Sequence, residues 1–515
     1  MRKFVSVLLS ALMLVTMLVP AMALADDAEA PLVITMVAPF FADEPPKGTT
    51  SEGADRNPVL AAIEELCNVK LEITWAPQGD YVSKFSTIMA GENHPMIMVV
   101  PSGLTTNSTY LDYCQFGRFW DLTDAIQASD LFREELTSPN SLAVSAVGGR
   151  SYLFPLIVSS ARVGLLYRAD WLEKLELAVP STPEEIMAVA KAFTLDDPDG
   201  NGERDTYGFA YIDDADKELT YAGFDTVAVA MGTPNRWGKD AQGKIMPYFM
   251  FPEYAATLDF FKTMYDEGYM NNDFALIKGN DKHLPLAENK AGMMMTTATN
   301  ARYPGGKYDS LMDSIVPTAS VAIQPILQYD GAPIINSTLG MGGVGGIVIS
   351  KQSVKDEATL EKILQFFETA LSVDGGAKLL ALGVEGIHYT ETDGIITVSP
   401  EQAKLYVDDG SSEVFASTLP RRVQAPSFGA PSTQLREITQ MSVDNEPYAL
   451  ADLSMGLLDA DTLSVQASIA TIISDARVKY IMGQIDAAGF EAAVADWLAQ
   501  GGQDIIDQIN ANYAE

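Results

Sequence analysis

Between Val69 and Met89 the chain changes period, and that change confines it to folds in which sheets carry helices on their faces. Val69, Leu71, Ile73 and Trp75 share one parity while Lys70, Glu72 and Thr74 take the other, the two-residue repeat of a strand. Asp80 then opens a helix with Tyr81, Phe85, Ile88 and Met89 along one stripe. The alternation recurs downstream. Thr182-Pro183-Glu184-Glu185 places an N-cap, a proline at the first helical position and a glutamate at N3 ahead of Ile186, Val189, Ala190 and Phe193. Pro252-Glu253 starts another helix, with Tyr254, Leu258, Phe261 and Tyr265 inward and Gly268 as its stop. Leu360, Ile363, Leu364 and Phe367 repeat the pattern. This interleaving predicts an α/β architecture. A chain of 515 residues, 47% of them apolar, supplies core for more than one lobe.

The first 25 residues stand outside that pattern. Arg2 and Lys3 precede a largely apolar run from Phe4 to Leu18, Pro20 breaks it, and Ala23-Leu24-Ala25 forms a small-x-small cleavage site. The run is shorter than the roughly 20 residues of a membrane-spanning helix, so residues 1–25 read as a signal peptide and the mature chain is expected to start near Asp26. No later segment is apolar for long enough to span a bilayer, and no cysteine sits near the cleavage site for lipid attachment. An exported, soluble protein is the expectation. Cys67 and Cys114 are the two cysteines, which allows one disulfide or two inert buried thiols. The formal charge of −35 becomes −37 once Arg2 and Lys3 are removed. That balance excludes nucleic acid as a partner, because phosphates demand clustered Lys and Arg, and it disfavours docking on an anionic membrane surface.

One segment carries specific chemistry. Asp197, Asp199, Asn201 and Asp205 fall at positions 1, 3, 5 and 9 of an EF-hand-like loop, with Gly202 at the sharp turn. The backbone carbonyl of Glu203 would stand at position 7. Alternate side chains of such a loop converge on one point, and a hard cation with six to eight oxygen ligands would offset the repulsion among three carboxylates. Position 12, where a bidentate glutamate belongs, is Gly208, and Tyr207 to Tyr211 reads as a strand. A structural Ca2+ site held by Asp197, Asp199, Asn201, Glu203 and Asp205 is the expectation, with an empty Asx-turn loop as the alternative. Gly340-Met-Gly342-Gly-Val-Gly345 spells a dinucleotide fingerprint, but the strand Ile347–Ile349 follows it rather than precedes it, which excludes that use. His94, His283 and His388 form no metal-binding pair, and no nucleophile elbow is present.

Tyr167-Arg-Ala-Asp-Trp171-Leu-Glu-Lys-Leu-Glu-Leu177, Pro180-Ser-Thr-Pro-Glu-Glu185, the Asp197–Asp205 loop and Tyr207-Gly208 resemble extracellular solute-binding proteins of family 1, and most closely their LipO-like oligosaccharide-binding subgroup. Gly149-Arg-Ser-Tyr-Leu-Phe-Pro155, Gly383-Val-Glu-Gly-Ile-His-Tyr389, Ile481-Met-Gly483 and Asn510-Ala-Asn-Tyr513 agree in order and spacing. The resemblance covers nearly the whole mature chain. It implies a two-lobed periplasmic-binding-protein-like fold of type II, with crossing strands and a ligand cleft between the lobes. Carried over, lobe one comprises 31–160 plus 320–380 and lobe two 161–319 plus 381–515, the acidic loop lying in lobe two and binding calcium away from the ligand. Relatives often add a glutamate after the last loop aspartate, where Thr206 stands, and many carry a lipidated cysteine that this chain lacks.

The same resemblance implies a monomeric, non-enzymatic receptor that hands an oligosaccharide to ABC transporter permease subunits. Sugars need aromatic platforms and planar polar groups, which makes Trp75, Tyr81, Trp237, Arg302, Tyr303, Glu385 and His388 the candidate ligand-binding residues. Trp75 and Tyr81 suit either the core or the crevice beyond the strand ends, Trp237 sits in a polar loop, and Glu385 and His388 suit hinge structure or ligand contact equally. Trp171 and Trp497 fall in helical stripes and read as packing. A receptor for another solute such as a peptide, a sensor-coupled receptor, and a secreted glycan-active enzyme are the competing readings.

Overall fold

The computed structural model describes residues 30–40, 44–100, 104–105, 108–135, 146–147, 149–156, 161–213, 223–277, 284–298, 319–336, 345–411, 414–415, 418–420, 428, 434–455 and 457–513. The expected signal peptide, Arg302 and Tyr303 lie outside them. So do residues 340–344 of the glycine-rich segment.

Two sheets organise the chain. Their strands are β1 (Leu32–Phe40), β2 (Val69–Pro77), β3 (Ile97–Val100), β4 (Leu153–Pro155), β5 (Val163–Arg168), β6 (Tyr207–Ala210), β7 (Ala291–Thr297), β8 (Val321–Gln324) and β9 (Gly346–Ile349). The first sheet runs in the order β2-β1-β3-β9-β4 and the second β8-β5-β7-β6. β1 is parallel to β2 and β3, whereas β9 enters antiparallel between β3 and β4. In the second sheet β7 is parallel to β6 and antiparallel to β5.

Each sheet has its own core. The first gathers Ile34, Leu71, Phe85, Val99, Phe154, Val348 and Phe367. The second gathers Leu165, Phe193, Phe209, Phe261, Met293, Ile473 and Ile505. The chain passes from the first core to the second between Leu156 and Ala161, returns between Asn336 and Gly346, and leaves again between Leu419 and Ile438. Three passages join the two packed bodies, and the first sheet's order β2-β1-β3-β9-β4, with the returning strand β9 antiparallel beside β3, gives the type II two-lobed fold. The expected change of lobe at 320 differs from this arrangement, because Val321–Gln324 pairs with Arg168–Leu165 in the second sheet. The expected change at 381 differs as well: Val384, Tyr406, Val414, Phe415 and Leu419 pack on the first core.

Local chemistry accounts for the helices. Thr182 Oγ1 accepts from Glu185 N while the Glu185 carboxylate accepts from Thr182 N, so the Pro183–Leu195 helix starts on a complete capping box. The Pro252–Asp266 helix buries Tyr254, Leu258, Phe261 and Met264, leaves Tyr265 half-buried, and is followed by Gly268 at φ 70°. The Glu357–Leu371 helix is capped by Asp356 and turns Ile363, Phe366 and Phe367 inward. Trp171 and Trp497 are buried, as their stripes predict. Cys67 and Cys114 are free thiols, and burial pushes them up to about 11 and about 12. No helix among the described residues is long and apolar enough to cross a membrane.

Candidate functional site

In an open α/β sheet ligands gather beyond the carboxyl ends of the parallel strands. Here those ends are Phe40, Pro77 and Val100 in the first sheet, and Ala210 and Thr297 in the second. Thr297 pairs with Val163, the first residue of β5 after the first passage between the bodies, so the second sheet's carboxyl edge lies beside the crossing.

The expected ligand residues do not form one constellation. Trp75 is half-buried near the end of β2, and its indole N–H donates to Thr49 Oγ1 at 2.9 Å. Tyr81 is 2% exposed, and its hydroxyl lies 3.0 Å from the Val37 carbonyl and 2.9 Å from that of Val99. It pins β1 and β3 together from within the core, and burial raises its phenol. Trp237, read from the sequence as a loop residue, is buried with its ring centroid 6.4 Å from that of Trp497. Tyr81 and Trp237 therefore serve packing in this structure, because their neighbours enclose them.

Glu385 is exposed and its backbone bridges to Tyr389. His388 is 1% exposed. Its Nδ1 accepts the Val384 N–H at 2.9 Å, which leaves Nε2 to donate to Asp409 Oδ2 at 2.9 Å. Asp409 is also tied to Asn57, the N-cap of the Pro58–Cys67 helix, through its carbonyl. Gly383 adopts φ 80°, and a Cβ there would meet the His388 ring at 2.2 Å. His388 locks the 383–409 segment onto the first body, so its place is a structural pin.

Sequence reasoning missed a buried polar network at the carboxyl edge of the second sheet. Arg477 grips Asp213 through two bonds of 2.7 and 2.6 Å, and the Tyr211 hydroxyl donates to the same carboxylate at 2.8 Å. Nearby, Tyr248 donates to Asp225 at 3.0 Å and Arg236 lies 3.5 Å from the same carboxylate. Burial penalises the Arg477 charge, yet Asp213 holds the guanidinium well above its ordinary value. Burial first, and Asp213 and Asp225 second, raise Tyr211 and Tyr248. Arg477 follows Asp213 by 264 residues in mid-helix, and no local pattern marks either one.

The acidic loop folds around its own donors. Asp197 accepts from Gly200 N at 3.0 Å and from Gly202 N at 3.2 Å, while Asn201 Nδ2 lies 2.9 Å from Asp199 and 3.3 Å from both Asp205 oxygens. Burial and the flanking Asp205 and Asp197 charges raise Asp199. Despite slight burial, the backbone N–H groups lower Asp197. The donor set is all oxygen once the Asn201 amide turns over, which fits a hard cation. Among the described residues, however, no three His, Cys, Asp or Glu side chains already form a metal-binding cluster. Gly208 stands at position 12 because a Cβ there would lie 2.2 Å from Ala190 Cα, so the strand packs too closely for a glutamate.

Two α/β bodies joined by three passages define the class of two-lobed solute receptors. Residues 47–377 match the family described as bacterial extracellular solute-binding protein, and the chain belongs to it. It is 29% identical to lipoprotein LipO of Bacillus subtilis, over 93% of this chain and 92% of that protein. It is 30% identical to the polygalacturonan/rhamnogalacturonan-binding protein YtcQ of the same organism, over 92% of this chain and 90% of that one. Its fold is similar to the Streptococcus pneumoniae substrate-binding protein FusA in complex with kestose, with a TM-score of 0.68 and 17% identity, covering 93% and 98% of the two chains.

Proposed function

We propose that the chain is an extracytoplasmic receptor that captures an oligosaccharide between its two lobes and presents it to the permease subunits of an ABC importer. Family membership supports the receptor class, and relatives named as a polygalacturonan/rhamnogalacturonan-binding protein and a fructooligosaccharide ABC transporter substrate-binding protein support the ligand class. The observation that carries the mechanism is the pair of separate cores joined by three passages, which lets each lobe move as a rigid body. Ligand that bridges the lobes favours the closed form by its differential affinity for that form.

In this reading lobe one comprises 31–156, 346–419 and the strands they carry, and lobe two comprises 161–336 and 438–513. Residues 1–25 direct export, and the mature chain acts as a monomer without catalysis. Of the ligand candidates Trp75, Arg302, Tyr303 and Glu385 are the ones we assign to the cleft. Asp197, Asp199, Asn201, Asp205 and the Glu203 carbonyl would hold a Ca2+ ion, which would supply charge neutralisation and rigidity remote from the cleft. A hundredfold excess of ligand over its Kd adds about 2.7 kcal/mol to stability. Thermal unfolding of the mature protein against pectic, fructan and peptide panels tests the reading. One glycan class should raise the midpoint and be recovered intact; a shift by peptides alone, or recovery of cleaved sugar, would refute it.

A further inference from the structure

The turn that leads into β7 reaches the acidic loop from outside it. Asn289 stands half-buried two residues before Ala291, the first residue of β7, with its backbone at φ 64°. Its Nδ2 donates to Asp199 Oδ2 at 3.2 Å, across 90 residues of chain. Its Oδ1 accepts from the Arg168 guanidinium at the end of β5. The three segments meet because β5 runs antiparallel to β7, which brings Arg168 beside the start of β7. Tyr207 N donates to the Lys290 carbonyl at 2.8 Å, which sets the start of β6 there as well. Thr297, at the carboxyl edge, lies the length of β7 away, about 20 Å.

Arg168 leaves the Asn289 amide one orientation. Its Nε and Nη2 grip the two oxygens of Asp170 at 2.8 and 2.6 Å, and its guanidinium carbon lies 4.4 Å from the Trp171 ring centroid. The residue is 1% exposed, so the group is fixed on every side. A guanidinium carries donors and no acceptor. Asn289 must therefore turn its oxygen to Arg168 and its NH2 to Asp199.

That orientation matters most once a cation is bound. Without one, Asp199 Oδ2 has two amide donors, Asn201 Nδ2 at 2.9 Å and Asn289 Nδ2. A hard cation takes oxygen from Asn201, so that amide turns over and its donor leaves Asp199. Asn289 cannot follow, because Arg168 holds its oxygen. Among the described residues it is then the side-chain donor that stays on Asp199, fixing one carboxylate oxygen while the other faces the ion.

We propose that Asn289, oriented by Arg168, is a positioning residue of the cation site: it aims Asp199 at the ion and makes Ca2+ affinity depend on a residue outside the loop. This rests on the assignment of Ca2+ to the loop. Bound Ca2+ thereby braces β5 and β7, the two central strands of the second sheet.

Calorimetric titration of the metal-stripped mature protein with Ca2+, alongside thermal unfolding in chelator and in Ca2+, tests this. Asn289→Gly removes the amide and keeps the left-handed turn, which glycine adopts freely. Its Ca2+ affinity should fall about 10–100-fold, the usual effect of losing a group that orients a metal ligand. A side chain that served Arg168 alone would lower the melting point and leave that affinity as it was. Asn289→Asp keeps an acceptor for Arg168 but sets a carboxylate against Asp199. Its melting point in chelator should fall, and Ca2+ should raise it by more than in the wild type. Unchanged Ca2+ affinity in Asn289→Gly overturns the proposal, as does a Ca2+-induced rise in Asn289→Asp no larger than that of the wild type. In either case Ca2+ binding by the wild type keeps the calcium assignment standing; its absence there removes that assignment and this proposal together.

Discussion

Replacing Arg477 by methionine should expose how much of lobe two depends on one buried pair. The Asp213 side chain has 0% and that of Arg477 8% of its surface exposed, with charge-assisted bonds of 2.7 and 2.6 Å between them. Methionine fills most of the volume but leaves a buried carboxylate whose described partner is then the Tyr211 hydroxyl. Stranding one charge of a buried pair costs about 3–5 kcal/mol. For a body of about 250 residues each kcal/mol moves Tm by about 2–4 °C, so R477M should lower the lobe-two transition by about 6–20 °C. Scanning calorimetry of the mature protein reads this, and the lobe-one transition should move much less. The double variant D213N/R477M removes the stranded charge and should recover a substantial part of the loss. A shift below about 2 °C in R477M, or a double variant worse than the single one, would refute the reasoning.

Other perturbations test separate parts of the account. Thr182→Ala removes one arm of the capping box and should cost about 1 kcal/mol in urea unfolding. Gly208→Ala forces a Cβ to within 2.2 Å of the Ala190 backbone; overpacking there should cost about 1–3 kcal/mol and disturb the adjoining acidic loop. Asp356 and Asp459 are both lowered by N–H groups at their helix starts, those of Thr359 and Thr462. A depressed folded pKa contributes stability above the unfolded value and loses it as pH falls through the folded one. The D356N/D459N variant should therefore be less stable at pH 7 and show a shallower loss below about pH 4, followed by circular dichroism. Asp199→Asn and Asp205→Asn should each abolish the Ca2+-induced rise in Tm while leaving the melting point in chelator nearly unchanged. An undiminished rise would remove the loop from the calcium site.

The α/β class, the helix starts and the acidic loop are legible in the sequence, because each is written in neighbouring residues. Period-two and period-3.6 stripes, the Thr182–Glu185 box and the Asp197–Asp205 spacing are local statements about backbone and side-chain geometry. The resemblance carried by segments from Gly149 to Tyr513 extended this to the two-lobed fold. What it could not give was partnership across distance. Periodicity places Tyr81 on an inward face but does not say that its hydroxyl ends between two strand carbonyls. Trp237 looks solvent-facing among Asn235, Arg236 and Lys239 until the C-terminal helices bring Trp497 against it. His388 acquires its structural role from Asp409, and Asp213 its charge partner from Arg477 on a helix 264 residues away. The lobe to which a segment belongs follows the same rule: Val321–Gln324 chooses its sheet by pairing with β5, and Val384, Tyr406, Val414 and Leu419 choose theirs by the core they cover. Pairing and burial are properties of the assembled chain, and only the tertiary structure decides them.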